Sequence, residues 1–243
     1  MEIIKFNNVT KRYNAQKGVF DISFTINKGE IFGFLGPSGS GKTTIMRILL
    51  GFLKEDCGDI SINNLDPTTK SHLINREIGF IAGEQIIPNN MSIKGYLKFY
   101  AQLRGIKDLT KMEALIKYFD LDTSGKIKKM SKGMKQKLAI ITAFMGDFSI
   151  YVLDEPTSGL DPVMQNNFVK LVKKEKAAGK TILLCSHIMR EVEVLCDRLT
   201  ILKKGRLVHT STLAAIHEEQ KTVEEKFWEC YGQDEMGELL NVF

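Results

Sequence analysis

Two acidic residues at the end of an apolar run offer the clearest chemistry in this sequence. Residues 150–153 are apolar, and Asp154 and Glu155 follow them directly. Four apolar residues in a row are typical of a strand buried on both faces of a parallel sheet, and such sheets bind ligands where their strands end. A carboxylate buried there needs an opposite charge or a metal ion. The pair therefore suggests a cation held by Asp154 and a separate role for Glu155, with an ordinary polar turn as the plainer alternative.

A glycine-rich loop earlier in the chain favours the chemical interpretation. Residues 36–43 fit the pattern G-x-x-x-x-G-K-[ST] without a mismatch, between a predicted buried strand at 30–35 and a predicted helix at 43–50. In such a loop, backbone N–H groups and a helix N-terminus surround phosphates. Lys42 supplies a charge for the β- and γ-phosphates, and the hydroxyl of Thr43 can bind Mg²⁺. A Gly/Ser turn that only caps a helix is the alternative.

Four further residues are candidates for contacts with a nucleotide. Ser131 suits the N-cap of a helix and Gly133 its first turn, which makes a second anion site unless the segment is only a basic surface helix. His187 follows a second predicted buried strand at 181–185, so it is a candidate for the same crevice as the acidic pair. Tyr13 is either an adenine-stacking ring or an exposed loop residue. The two anion sites could also meet in trans, one from each copy of the protein.

The elements that position these residues follow from periodicity. Strands are predicted at 3–6, 21–26, 58–63 and 199–202, the last in a hairpin with 206–208. Helices are predicted after Ser92, after Thr110 (with Glu113 as a capping box), near Gly133, and after the N-cap pair Asp161 and Pro162. The helices between the loop and the acidic strand form an insertion in an α/β core, and a helical tail follows residue 211.

Composition limits the class of protein. A length of 243 residues suits one α/β domain, or a core with one insertion, and the net charge of +5 does not by itself indicate nucleic acid. The four cysteines form no C-x-x-C pair, and no apolar run approaches the roughly 18 residues of a membrane span. With no signal peptide visible, we expect reduced thiols in a cytosol, no membrane crossing, and partners that carry phosphate or an anionic membrane face.

In this order, the motifs resemble the ATP-binding subunit of ABC transporters over about residues 3–208. The resemblance is to ATPases of drug, antibiotic and sodium exporters whose permease is encoded separately. The ATP-binding Walker A loop then comprises Gly36, Pro37, Ser38, Gly39, Ser40, Gly41, Lys42 and Thr43, with Thr44 beside it and Tyr13 as the adenine platform. The signature that acts in trans is Ser131, Lys132, Gly133 and Met134, and the D-loop contributes Ser158 and Asp161.

Roles in the reaction also follow from the resemblance. It implies Glu155, His187 and Lys42 as catalytic residues, with Mg²⁺ held by Thr43 and Asp154. It implies a P-loop NTPase fold with a RecA-like, mostly parallel core, an antiparallel N-terminal β-subdomain and an inserted helical subdomain. The expected domain is 1–210, with core segments 1–85 and 140–210, a helical subdomain at about 86–139, and a helical tail at 211–243.

The sequence departs from the family at one metal ligand. The family places a glutamine after the strand that follows the phosphate loop, but Gly83 stands there, with Glu84 and Gln85 next to it. Gln85 is the candidate ligand if the loop shifts, and Glu84 is the alternative. The loop at 83–88 and the helical insertion are the candidate contacts with a permease.

The expected function is Mg²⁺-dependent ATP hydrolysis that powers export across the cytoplasmic membrane. The partners are an integral membrane permease and a second ATPase subunit, either an identical copy or a paralogue; no nucleic acid is expected. The location is cytoplasmic, on the inner face of the cell membrane. Alternatives are a non-transport ABC ATPase, an importer subunit, another phosphate-loop enzyme, or a nucleotide-gated subunit with little turnover.

Overall fold

A group of N-terminal strands precedes alternating helices and strands in a computed structural model that describes residues 1–232. The strands are β1 (Glu2–Arg12), β2 (Gly18–Asn27), β3 (Ile31–Leu35), β4 (Cys57–Ile62), β5 (Ile78–Ile81), β6 (Ile150–Asp154), β7 (Thr181–Ser186), β8 (Arg198–Lys203) and β9 (Arg206–Thr212). The helices are α1 (Lys42–Leu49), α2 (Pro67–Ile74), α3 (Ile93–Leu103), α4 (Thr110–Tyr118), α5 (Lys132–Phe144), α6 (Pro162–Ala177), α7 (Met189–Leu195), α8 (Leu213–Glu218) and α9 (Val223–Tyr231).

These elements belong to two compact units. The first unit consists of Met1–Ile74 and the described residues from Thr181 onward, and the second unit is Asn75–Lys180. The phosphate loop therefore belongs to the first unit and the acidic pair to the second. No helix within residues 1–232 is both long enough and apolar enough to cross a membrane.

The first unit begins with an antiparallel sheet. Its strands alternate apolar and polar residues, so that one face of the sheet is buried. β1 lies between β2 and β4, and Ile4 pairs with Ile26 on one side and with Ile62 on the other. All three isoleucines are buried. Phe6 and Phe24 stack with their ring centroids 4.5 Å apart. The predicted antiparallel N-terminal sheet is confirmed.

The first unit also holds a parallel group of strands. β3 is entirely buried and pairs in parallel with β7 and β8, while β9 runs antiparallel to β8 as the predicted hairpin. Helix α7 and the residue that follows it approach β3 closely: a Cβ on Gly33 would lie only 2.7 Å from Cys196 Sγ and 3.1 Å from a methyl group of Val192 in α7. Glycine at position 33 therefore allows the helix to pack against the strand that leads into the phosphate loop.

In the second unit, β5 and β6 pair in parallel, with Gly79 opposite Tyr151. A Cβ on Gly79 would lie 2.4 Å from the carbonyl oxygen of Ala143, so glycine permits α5 to lie directly on β5. Phe144 from α5 stacks on Tyr151 with centroids 4.5 Å apart. With parallel pairs in both units and helices between the strands, the predicted α/β class is confirmed.

One predicted helix start is wrong in detail. The sequence suggests that Thr110 and Glu113 form a capping box, yet α4 begins at Thr110 with Leu109 as an N-cap that makes no side-chain bond. The Thr110 hydroxyl and amide instead donate to Oδ1 of Asp108, over 2.6 and 2.9 Å. The Thr110 N–H, which a capping box would give to Glu113, is thus taken by the carboxylate of Asp108, and the backbone N–H of Glu113 donates to the carbonyl of Leu109 over 3.0 Å.

Residues beyond the phosphate-binding core continue as helices where the structure describes them. α8 and α9 follow β9, and Phe227 of α9 is buried. The predicted tail at 211–243 also includes residues 233–243, which lie outside the described residues. The predicted domain bounds therefore stay a prediction.

Candidate active site

The loop between β3 and α1 curls around its own lysine. Gly39 and Gly41 adopt left-handed backbone angles, with φ of 82° and 117°, which residues with a Cβ rarely adopt. Lys42 is buried, and its ammonium group donates to the backbone carbonyl of Gly36 and, over 3.0 Å, to that of Pro37. The positive charge is thus held inside the loop where the sequence pattern predicts a phosphate-binding lysine.

Several features of this loop fit a bound phosphate chain. Ser38 and Gly39 are exposed at its tip, and a Cβ on Gly39 would meet no atom within 4 Å, so the approach is open. The hydroxyl of Ser40 is buried without a hydrogen-bond partner, so a bound anion would supply an acceptor for it. Thr43 is exposed in the first turn of α1, and the positive end of a helix dipole at its N-terminus favours an anion. The residues therefore fit ATP.

Two neighbours from the same unit contact the loop. The backbone N–H of Gly205, in the turn between β8 and β9, donates to the carbonyl of Ser40 over 2.9 Å. Tyr13 places its hydroxyl 3.5 Å from that of Thr44 while 54% of the residue stays exposed. The ring predicted to stack on adenine therefore lies next to the phosphate loop, with surface left for a ligand.

His187 lies exposed in the first unit, directly after β7. Ser186 fixes the turn that carries it: its hydroxyl donates to Glu191 over 2.9 Å and accepts from the backbone N–H of Ile188 at the same distance. Both Ser186 and Glu191 are buried. The histidine is therefore presented by a rigid turn, as a side chain that binds a ligand requires.

The acidic pair lies in the second unit, at the carboxyl end of β6. Asp154 is buried with 4% of its surface exposed, whereas Glu155 is partly exposed. Glu155 has a positive φ of 48°, a conformation that costs on the order of 1 kcal/mol in a residue with a side chain and that often occurs at functional sites. Gln136 of α5 holds the turn by donating to the carbonyl of Pro156 over 2.7 Å.

The residues of the predicted second anion site lie at the first turn of α5. Ser131 caps the helix by accepting from the backbone N–H of Met134 over 3.2 Å, and Lys132 is exposed beside it. A Cβ on Gly133 would lie 2.8 Å from the carbonyl oxygen of Gly159. Glycine at position 133 therefore lets this helix end lie directly against the segment that follows Glu155.

That segment contains the two predicted D-loop residues. The backbone N–H of Ser158 donates to the carbonyl of Glu155 over 3.2 Å, which closes the turn after the acidic pair. Asp161 caps α6, accepting from the backbone N–H groups of Val163 and Met164 at 3.0 Å each. The second unit thus brings together the acidic pair, the predicted signature and the predicted D-loop.

Gly83 lies close to Asp154, where the family resemblance predicts a glutamine. A Cβ on Gly83 would lie 2.9 Å from Asp154 Oδ2, so the carboxylate fills the space that a side chain would need. The side-chain amide of Gln85 donates to the carbonyl of Ala82 within its own loop, and Glu84 is exposed. The predicted contribution of Gln85 to a metal site stays a prediction.

The donors suit Mg²⁺ that arrives with a nucleotide. Within residues 1–232, no group of three or more His, Cys, Asp or Glu side chains could hold a metal ion. Thr43 and Asp154 offer a hydroxyl and a carboxylate, which are oxygen donors that Mg²⁺ prefers. Each side chain is thus of a type that can bind Mg²⁺ alongside water and substrate phosphates.

Three supporting residues were not predicted from the sequence: Gln136, Gly205 and Ser186. Each acts through hydrogen bonds to residues of a neighbouring loop, turn or helix, as described above. Gln136 does lie two residues after the predicted signature at 131–134, but that position carries no signal for its contact with Pro156. The role of Gly205 depends on how a hairpin turn meets the phosphate loop, and periodicity carries no information on that contact.

Comparisons with known proteins agree with these motifs. The family described as "ABC transporter" matches residues 19–158. The ABC transporter ATP-binding protein NatA of Bacillus subtilis is 34% identical over 234 residues, which covers 90% of this chain and 94% of NatA. The Nod factor export ATP-binding protein I of Rhizobium etli is 33% identical over 213 residues, covering 86% of this chain and 67% of that protein.

Solved structures show the same fold. An ATP-binding subunit of an ABC transporter superposes with a TM-score of 0.86 at 27% identity, over 95% of this chain and all of that one. A dimeric ATP-binding cassette in a post-hydrolysis state with bound ADP and Pi has a TM-score of 0.78 at 23% identity and covers 87% of this chain and 99% of its own.

Proposed function

Because the chain belongs to the ABC transporter family of ATP-binding proteins, we propose that it hydrolyses ATP with Mg²⁺ to drive export of a substrate through a separate membrane permease. The observation that carries this proposal is the phosphate loop curled around Lys42, with its tip open and the hydroxyl of Ser40 unpaired. Burying a cation and leaving a hydroxyl unsatisfied both cost free energy, which a purely structural turn would not require. A bound phosphate chain would interact favourably with both groups.

ATP binds with its phosphates on the loop and its adenine against Tyr13. Lys42 and the N–H groups at the start of α1 neutralise the β- and γ-phosphates. Thr43 and Asp154 would hold Mg²⁺, through a hydroxyl and a carboxylate oxygen. When bound, the ion spreads the negative charge of the β- and γ-phosphate oxygens.

Hydrolysis then depends on position more than on covalent chemistry. Glu155 orients a water and accepts its proton while the water oxygen bonds to the γ-phosphorus. The bond from that phosphorus to the β–γ bridging oxygen breaks, and ADP and phosphate result. His187 donates a hydrogen bond to the γ-phosphate and keeps it in line with the water. The strained backbone of Glu155 is consistent with a residue held for such a role.

Two copies assemble head to tail in this proposal, so that each ATP lies between residues 36–44 of one copy and residues 131–134 of the other. The same surface serves both partners, as in an isologous dimer. Ser131 and Gly133 contact the γ-phosphate, and Asp161 contacts the partner. ATP joins the copies and ADP with released phosphate does not, so the difference in affinity can drive a permease between two states.

Export is the direction that the relatives favour, since one of them is named for Nod factor export. The permease contacts the loop at 83–88 and the helical segment, and the ATPase lies on the inner face of the cell membrane. Purification of a tagged chain from membranes of its own organism tests this: a co-purifying integral membrane protein supports a transporter, and ribosomes or nucleic acid instead would indicate a non-transport ATPase.

Glu155→Gln tests the hydrolysis step. The amide keeps the size of the side chain and cannot accept the proton, so we expect turnover to fall by about 10²-fold or more while ATP binding persists. The variant should then elute as a dimer on size exclusion with ATP and Mg²⁺, and as a monomer with ADP.

Glu113→Gln, an exposed change on α4 in the same unit, is the matched control and should behave as the wild type. A Glu155→Gln variant that turns over ATP at the wild-type rate would remove Glu155 as the base.

A further inference from the structure

We infer that α9, the last helix within residues 1–232, positions the phosphate loop, and that Tyr231 is the positioning residue through which it acts. The inference rests on the proposed ATP site, because nucleotide affinity is its readout. The contacts that connect α9 to the loop lead from Tyr231 to the end of β8, from there to the turn at Lys204 and Gly205, and from the turn to the phosphate loop. All of these residues belong to the first unit.

The first step joins α9 to the end of β8 by two hydrogen bonds in opposite directions. The hydroxyl of Tyr231 donates to the backbone carbonyl of Leu202, and the ammonium group of Lys203 donates to the backbone carbonyl of Tyr231 over 2.9 Å. The same ammonium lies 5.1 Å from the centre of the Tyr231 ring, within range of a cation–π contact. The last turn of α9 is therefore fixed to two successive residues of the strand.

The second step joins the same strand end to the phosphate loop. Leu202 lies beside the start of the loop: a Cβ on Gly36 would be only 2.7 Å from the carbonyl oxygen that accepts from Tyr231. Three residues later, the N–H of Gly205 donates to the carbonyl of Ser40 over 2.9 Å. The segment 202–205 thus contacts both the beginning and the middle of the loop.

The turn also has support from the N-terminal sheet. The backbone N–H of Phe20 donates to the carbonyl of Gly205 over 2.8 Å, and a Cβ on Gly205 would lie 2.3 Å from the carbonyl oxygen of Gly18. The turn is held from one side by β2 and from the other by α9. Loosening either side would give the turn freedom to shift, and Ser40 would shift with it.

Helix α9 is rigid enough to serve as an anchor. Thr222 and Glu225 form a complete capping box at its start. Val223, Phe227 and Tyr231 are buried along one face, and the rings of the last two stack with centroids 4.3 Å apart. The Tyr231 hydroxyl therefore lies on a well-packed helix, and its removal would break one of the two bonds to β8 without removing the packing.

Tyr231→Phe is the decisive variant because it keeps the ring, its stack and its contact with Lys203. We expect the Kd for ATP, measured by equilibrium titration with a fluorescent ATP analogue, to rise about three- to tenfold, with KM following and kcat within twofold of the wild type. Lys203→Met removes the reciprocal bond and should raise the Kd in the same direction.

Thr222→Ala is the matched control on the same helix. It removes the N-cap of α9 and should lower the melting temperature, but it leaves both bonds to β8 in place. A positioning role predicts an unchanged Kd for Thr222→Ala. The inference is overturned if both Tyr231→Phe and Lys203→Met bind ATP with the wild-type Kd. It is also overturned if the Kd rises in proportion to the loss of melting temperature in all three variants, Thr222→Ala included.

Lys42→Ala separates failure of this inference from failure of the proposed function. Loss of nucleotide binding in Lys42→Ala, with no effect of Tyr231→Phe, refutes the role of α9 and leaves the ATP site intact. Nucleotide binding that survives Lys42→Ala instead refutes the site on which the inference rests.

Discussion

The carboxylate of Asp154 occupies the space in which a side chain at position 83 would lie. With a Cβ on Gly83 only 2.9 Å from Asp154 Oδ2, any larger residue at position 83 would press on the carboxylate. Asp154 is buried at the end of β6, so it has little freedom to turn away. The glycine therefore helps to set the orientation of the proposed Mg²⁺ ligand, although it contributes no ligand itself.

Gly83→Ala should consequently weaken the use of Mg²⁺. We expect the Mg²⁺ concentration for half-maximal ATPase activity to rise about tenfold, as is usual when a group that orients a metal ligand is disturbed. ATP binding measured in EDTA should not change, because the phosphate loop is untouched.

Gly125→Ala provides the control for this substitution. A Cβ there would lie 3.9 Å from Ile93, an ordinary contact, so both its Mg²⁺ requirement and its activity should match the wild type. An unchanged Mg²⁺ requirement in Gly83→Ala would show that Asp154 adapts to the added methyl group.

Motif spacing predicts which residues carry the chemistry but not how each is held. The phosphate loop and the strand-end carboxylates follow directly from glycines, a lysine and an apolar run. The positive φ of Glu155 and the bond from Gln136 to Pro156 depend on contacts between elements that are distant in the chain. Contacts of this kind produce no periodic pattern of residues, so a single sequence does not predict them.

A buried polar network supports the strand that carries the acidic pair. Tyr151 of β6 donates to Glu175 of α6 over 3.2 Å, and Lys111 of α4 lies 2.8 Å from the same carboxylate. Tyr151 is fully buried and Glu175 nearly so. Three elements of the second unit therefore meet at the carboxylate of Glu175, and the strand residue that bonds to it, Tyr151, lies three residues before Asp154.

The burial of Tyr151, followed in size by the negative charge of Glu175, raises the pKa of its phenol well above the usual value. The raised pKa means that the folded protein keeps a proton that the unfolded chain releases above pH of about 10. This contribution to stability is complete below pH 10 and is lost as the pH rises, by at most about 1.4 kcal/mol per pH unit.

Tyr151→Phe should remove this pH dependence. At pH 8 the variant should be less stable by about 1 kcal/mol because the bond to Glu175 is lost. By pH 11 the difference in the free energy of unfolding should shrink or reverse, which urea titrations across this range would detect. Tyr96→Phe is the control, because burial also raises the pKa of Tyr96, whereas the phenol that bonds to Glu175 is that of Tyr151. Its free energy of unfolding relative to the wild type should change less between pH 8 and pH 11. A gap that is constant from pH 8 to 11 would contradict the assignment.

Element types were predictable from periodicity, whereas details of their ends were not. The strands at β3, β6 and β7 and the helix after Ser131 follow from apolar runs and capping residues. The start of α4 differs because Asp108 competes for the bonds of Thr110. Helix α2 was missed: its backbone is irregular at Lys70, and its apolar residues show no clear helical face.

Over the whole chain, the candidate residues fall into two groups. The first unit carries Tyr13, the phosphate loop and His187, and the second carries Asp154 and Glu155 with the predicted signature and D-loop. Order along the sequence predicted all of these motifs but says nothing about which copy of the protein completes each ATP site. That question needs two copies that can be told apart.

Mixing two inactive variants answers it. Lys42→Ala disables the phosphate loop and Ser131→Arg blocks the signature, so each should reduce ATPase activity at least 10²-fold alone. If ATP binds between copies, a mixed dimer has both mutations in one site and none in the other. An equal mixture, with about half of its dimers mixed, should recover about a quarter of the wild-type activity. If each copy instead completed its own site, every site in the mixture would carry one mutation, and the activity would stay at the level of the separate variants.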